Sequence, residues 1–289
     1  MDLTPNFDHV FARISNAKRH REAMYQIHED YRVKYPVEQF HEVSRRGAQL
    51  FAKATHPYPY EMSIKFGEWA NGLRAALDSL LYEIAVFDTG QRPPTRVGDR
   101  AFPIFTDEDK FNNHKSLKGL HPWTLERLRV CQPFKSPTGM TGNALYWLHE
   151  LAKVDRHRHL FDVEMIVLGI DIEIPAELAQ YTSSEFITTC DEQLAFIYKD
   201  KPLKLAEIAF HTPIPNNLRS GIDVSYSVGF DVPGWMLNVH PGYRWRFDYR
   251  MNSVEEIVEK LTEMFAREIK SRPASRGTIS FIDGQWVPD

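Results

Sequence analysis

The sequence predicts an α+β fold: an N-terminal bundle-like helical region, then an antiparallel β-rich region with a covering helix. Two changes near residue 161 carry this reading. Before it, apolar residues recur at helical spacing over long stretches; beyond it, period-two alternation takes over. Ten of the 12 histidines also lie before Phe161. With 289 residues the chain can bury one large core or two moderate ones. The expected division is 1–160, helical with a short β-hairpin insertion, and 161–289, β-rich with a helix over 253–271 and a terminal hairpin.

The first helix opens with Thr4 as N-cap and Pro5 in the first helical position. Val10, Phe11, Ile14, Ala17, Met24, Ile27 and Tyr31 carry its apolar stripe to about Lys34, and Pro36 ends it. Phe40-His41-Glu42-Val43 and Ala48-Gln49-Leu50-Phe51-Ala52 read as short strands around Arg46-Gly47. A second helix spans about Ser63 to Phe87 on the arc of Phe66, Trp69, Leu73, Leu77, Leu80 and Ile84. Asp88-Thr89-Gly90 and Pro93-Pro94 stop it. Residues 88–118 form a long loop around Phe102-Pro103-Ile104-Phe105, with one short helix; such loops often serve a site or pack as a lid. Pro122 starts a third helix that ends before Gln132-Pro133, and a fourth spans about 143–160.

In the second half, Ile222, Val224, Tyr226, Val228 and Phe230 alternate with small or polar residues. Tyr243, Trp245, Phe247 and Tyr249 alternate with Arg244, Arg246, Asp248 and Arg250. Both stretches read as half-buried antiparallel strands. Ser253 and Glu256 form a capping box for the last helix, buried through Val254, Val258, Leu261 and Phe265. Thr278 to Val287 reads as a hairpin turning at Asp283-Gly284.

Composition excludes several classes. At 43% hydrophobic and 26% charged the chain is ordinary for a soluble globular protein. A net charge of -4 and a pI near 6.3 give no overall basic field toward nucleic acid or membrane. Cys131 and Cys190 have no CxxC spacing, which fits a reduced cytoplasmic protein without a zinc knuckle. There is no signal-peptide pattern at the N-terminus, and no apolar run approaches the ~18 residues needed to span a bilayer. GxGxxG, Walker and GxSxG signatures are absent, so no cofactor is expected.

The stretch from Leu148 to His159 concentrates the chemistry. Leu145, Trp147, Leu148, Leu151 and Ala152 define an apolar arc, and Asp155 falls within it, flanked by Arg158 and His159. A carboxylate in an apolar stripe is costly unless paired, so a buried polar cluster is expected there. It serves either as a structural ion network or as acid–base groups, with His157 on the polar face as proton carrier. Asn71, Arg74, Asp78 and Tyr82 share a face of the second helix. They read as a solvated face with an Arg74–Asp78 pair, or as the wall of a cleft opposite His149 and His157. His149, Lys153 and His157 lie at i, i+4, i+8, but no HExxH is present, and no metal site is expected. The two polar-bearing helices are expected to pack as antiparallel neighbours.

Leu73-Arg74-Ala75-Ala76-Leu77-Asp78-Ser79-Leu80, Phe102-Pro103-Ile104-Phe105 and Leu148-His149-Glu150-Leu151 followed by Asp155-Arg156-His157-Arg158 together resemble an uncharacterised bacterial protein family. The resemblance covers roughly residues 60–162 and implies no activity. A weaker resemblance is to HEPN-like helical domains, many of which are ribonucleases with an R-x4–6-H motif on a bundle helix. Arg13-x6-His20 and Arg21-x6-His28 match that spacing, whereas Arg74-x4 reaches Ser79. This resemblance implies a protein acting on or binding RNA or a nucleotide. His157 or His159 would be the acid–base group, and Arg74 or Arg158 would stabilise phosphorane charge. Two readings from other classes stay open: a non-catalytic interaction protein whose ion network is structural, and a metal-dependent enzyme. No membrane partner is expected, and homo-oligomer formation stays open.

Overall fold

Buried positions follow helical spacing through most of the first half of the chain and alternate through much of the second, and the fold is α+β. The computed structural model describes residues 4–95, 98, 101–157, 161–191, 195–215, 223–244, 247–271, 279–282 and 285–288. The chain forms two compact units, Met1–Glu22 with Lys65–Leu160 and Asn238–Asp289, and Ala23–Ile64 with Phe161–Leu237. One division coincides with the composition change at 160/161. The others differ from a single cut: the 38–53 hairpin joins the β-rich unit, and the last helix joins the helical one.

The helical unit draws on α1 (Asp8–Lys34), α2 (Tyr60–Thr89), α3 (Glu108–Asn112), α4 (Pro122–Val130) and α5 (Ala144–His157). Its core is the expected set of stripes: Val10, Ile14 and Ala17; Phe66, Trp69, Leu73, Leu77 and Leu80; Leu145, Leu148, Leu151 and Ala152. The start of α1 differs from expectation. The helix begins at Asp8, whose N–H donates to the Asn6 side chain at 2.9 Å, so Asn6 rather than Thr4 serves its first turn.

The β-rich unit contains two antiparallel sheets. β1 (Glu38–Val43), β2 (Gly47–Lys53), β6 (Leu203–Ala209) and β4 (Ile187–Thr189) lie in the order β1-β2-β6-β4. β5 (Phe196–Ile197), β3 (Glu164–Glu173) and β7 (Asp223–Asp231) lie in the order β5-β3-β7. Ala48, Leu50, Ile208, Met165, Val167 and Ile197 share one buried cluster drawn from both sheets. Gly47 opens β2 because a Cβ there would stand 2.7 Å from the Ile208 carbonyl oxygen on β6; only glycine allows that approach. Two short helices, α6 (Ala176–Ala179) and α7 (Pro233–Met236), complete this unit.

The expected strand over 243–250 is not formed. A 3-10 turn spans Pro241–Tyr243 and a single helix, α8 (Phe247–Ser271), begins six residues before Ser253. Phe247, Arg250, Met251, Val254 and Val258 are all buried and recur at helical spacing, so the helical period of this stretch outweighs its short alternation. The expected capping box is therefore interior to the helix. Nor is Arg250 part of an exposed basic face. It is 0% exposed, and its Nη1 donates to the carbonyls of Tyr243 at 3.1 Å and Arg244 at 2.6 Å. Trp245 and Arg246 lie outside the described residues. The terminal hairpin pairs β8 (Ile279–Ile282) with β9 (Gln285–Pro288) antiparallel; the expected turn residues Asp283 and Gly284 lie outside the described residues. Among the described residues, no helix is long and apolar enough to cross a membrane.

Candidate functional site

The polar face of α2 is built into the protein rather than solvated. Arg74 is 6% exposed; its Nη2 donates to the Phe102 carbonyl at 2.8 Å and pairs with Asp78 Oδ1 at 3.1 Å. The same Asp78 oxygen accepts the Phe102 N–H at 2.8 Å. Spacing of i, i+4 places the cation and the anion one turn apart, matched to the two polar groups of one peptide residue. Gln132 does the equivalent for the next turn of chain: its amide nitrogen donates to Pro103 O at 2.9 Å and its oxygen accepts from Phe105 N–H at 2.9 Å. Side chains thus satisfy the Phe102 N–H and carbonyl, the Pro103 carbonyl and the Phe105 N–H, as buried backbone groups of a loop require.

Further along α2, the Asn71 amide donates to Asp155 Oδ2 on α5. Gly67 makes room for that carboxylate, since a Cβ there would lie 2.9 Å from Asp155 Cγ. Asn71, Arg74 and Asp78 therefore bring Asp155 and Phe102 to one face of α2. Asp155 is half-buried and paired to Asn71. His149 is half-buried on α5. The His157 side chain, Arg158 and His159 lie outside the described residues. Among the described residues, no group of three or more His, Cys, Asp or Glu is placed to hold a metal ion.

A different place in the structure has the open geometry of a ligand site. Within the β-rich unit, a cleft of about 340 Å³ is lined by Pro57-Tyr58-Pro59-Tyr60 and Ser63, by Asp162-Val163-Glu164, and by Tyr198-Lys199-Asp200-Lys201. Ser63, on the first turns of α2, is buried, Glu164 at the start of β3 is half-buried, and Tyr60 and Tyr198 are exposed. Burial pushes the Glu164 carboxyl up to about 7, and the neighbouring Asp162 charge adds to the effect. Burial also raises the Tyr198 hydroxyl, with Glu164 and Asp162 contributing. Tyr58 is raised by burial too; its hydroxyl lies 2.8 Å from His28 Nδ1, and burial lowers that imidazole. Among the described residues, neither Lys199 nor Lys201 forms an ion pair with a carboxylate.

These residues come from three separated stretches, so no local motif displayed them. The available signals were the Pro57-Tyr58-Pro59-Tyr60 repeat and the Tyr198-Lys199-Asp200-Lys201 turn. Against family models, curated proteins and solved structures, the chain shows no match.

Proposed function

We propose that this protein binds a nucleoside phosphate, free or at the end of an RNA strand, in the cleft of its β-rich unit. The observation that carries the reading is the gathering of exposed tyrosine rings, two lysines without a carboxylate partner among the described residues, and a carboxylate pair around one cleft. Tyrosine faces accept stacked bases. Lysine ammoniums hold phosphate as point charges. Its volume, about 340 Å³, sits at the lower end of the ~300–1,000 Å³ of small-molecule sites, the scale of one nucleotide.

The RNA-directed expectation is carried here as binding. Arg74, the expected phosphate-stabilising group on α2, is engaged by Phe102 and Asp78 and turned inward. The ion pair on α2 acts in this reading as the structural network of the interaction-protein alternative. Calorimetric titration with the four nucleoside monophosphates and with short single-stranded RNA tests the proposal. Binding that weakens at least about tenfold in Lys199→Ala/Lys201→Ala, as expected for losing two phosphate contacts, supports it. Wild-type protein that binds none of these at millimolar concentration overturns it.

A further inference from the structure

We infer that the cleft selects guanine, through the carboxylates of Asp162 and Glu164. This rests on the nucleotide-binding reading. The two residues are at i, i+2, and both line the cleft together with the buried Ser63. Among the described residues, neither carboxylate forms a hydrogen bond or an ion pair, so the acceptors on this wall are not spent within the protein.

Ionised carboxylates only accept hydrogen bonds. A base edge suited to them must offer adjacent donors. Guanine alone among the four common bases has two adjacent donor groups on its Watson–Crick edge, N1–H and N2–H₂. Adenine and cytosine offer one amino group beside an acceptor nitrogen, and uracil offers one N–H between two carbonyls. The Ser63 hydroxyl can donate to the remaining guanine acceptor, O6. A simple cation would also suit the carboxylates, but Lys199 and Lys201 line the same cleft and oppose one. A guanine nucleotide uses both halves of the site, its base edge on the carboxylates and its phosphate at the lysines. Stacking on Tyr198, 40% exposed, fits either purine and supplies affinity without choosing between them.

The test is calorimetric titration of the intact protein at pH 8 with GMP, IMP, AMP, CMP and UMP, and with the trinucleotides GUU and AUU. GMP is expected to bind at least about tenfold tighter than AMP, in line with one good bidentate base contact. IMP, which lacks the N2 amino group, should bind more weakly than GMP. Glu164→Gln should abolish the preference for GMP over AMP, and Lys199→Ala should weaken both while retaining that preference. Asp162→Asn provides the same test should Glu164→Gln misfold by circular dichroism. A preference for GUU over AUU matching that for GMP over AMP supports recognition of guanine at an RNA end; a preference confined to the mononucleotides supports a free-nucleotide site. Equal affinity for GMP, IMP and AMP overturns guanine selection and leaves nucleotide binding standing. No binding by any probe overturns both.

Discussion

Asn71 on α2 donates its side-chain amide to the carboxylate of Asp155 on α5. The contact makes the two polar-bearing helices neighbours and explains a glycine inside a helix. Glycine costs about 1 kcal/mol relative to alanine at such a position. Gly67 is kept because its missing Cβ is where the Asp155 carboxylate sits.

Gly67→Ala should therefore destabilise the protein by about 1–3 kcal/mol through overpacking. In an Asp155→Ala background the clash disappears and the helix-propensity gain remains, so the same substitution should stabilise by up to ~1 kcal/mol. Urea unfolding of the four proteins of this double-mutant cycle reads the coupling. Additive effects would mean that the carboxylate does not occupy the space over Gly67.

The clamp on the Phe102–Phe105 strip should be separable from any ligand effect. Gln132 is 1% exposed and hydrogen-bonds Pro103 O, Leu128 O and Phe105 N–H. Gln132→Ala leaves buried backbone groups unpaired and should cost about 2–4 kcal/mol. Arg74→Ala should cost about 2–3 kcal/mol, below the ~3–5 kcal/mol of a fully buried pair, because the Asp78 side chain is 35% exposed. Both should accelerate amide exchange at Phe102 and Phe105 and leave nucleotide titrations unchanged. A loss of nucleotide binding at constant stability in Arg74→Ala would move the site from the cleft to the Arg74–Asp78 face of α2.

Much of this was legible in the sequence, and the failures have physical reasons. The stripes of α2, α5 and the end of α8 are long, so their period is unambiguous. The 38–53 hairpin was legible from its alternation and from Arg46-Gly47. The stretch from Tyr243 to Arg250 was not, because four aromatics at period two imitate a strand over eight residues. What decides it is the run Phe247, Met251, Val254, Val258, which continues the buried face of α8. Arg74 and Asp78 were visible as an i, i+4 pair, but their burial depends on Phe102, 24 to 28 residues away, and no local pattern records that. The cleft joins three distant stretches and has the same obstacle.

Glu255 on α8 should be a second structural anchor. It is 3% exposed, and its Oε1 accepts from Trp69 Nε1 at 2.9 Å and from Arg21 Nε at 2.9 Å. Glu255→Ala removes the partner of a buried indole and a guanidinium and should cost about 3–5 kcal/mol. Glu255→Gln keeps an acceptor for Trp69 and should cost less. Chemical denaturation followed by tryptophan fluorescence distinguishes them; equal losses would show that the charge alone matters.

Stability should depend on pH through the cleft even without ligand. Folding pushes the Glu164 carboxyl from its ordinary value near 4.5 up to about 7. Below pH 4.5 it is protonated in both the folded and unfolded chains, and its protonated form is accommodated. Between about 4.5 and 7 the unfolded chain has released the proton and the folded chain still holds it, so stability falls as pH rises, then levels off above about 7. Glu164 is only half-buried, so the loss is about 1–2 kcal/mol after screening. His28 acts in the opposite sense. Its imidazole is lowered from 6.5 by burial, so protonation favours the unfolded chain and stability falls as pH drops below 6.5. In thermal or urea unfolding at pH 5, 6, 7 and 8, Glu164→Gln should remove the alkaline-side loss and retain the acid-side one. A Glu164→Gln profile parallel to wild type from pH 5 to 8 would show that the carboxyl titrates as it does in the unfolded chain.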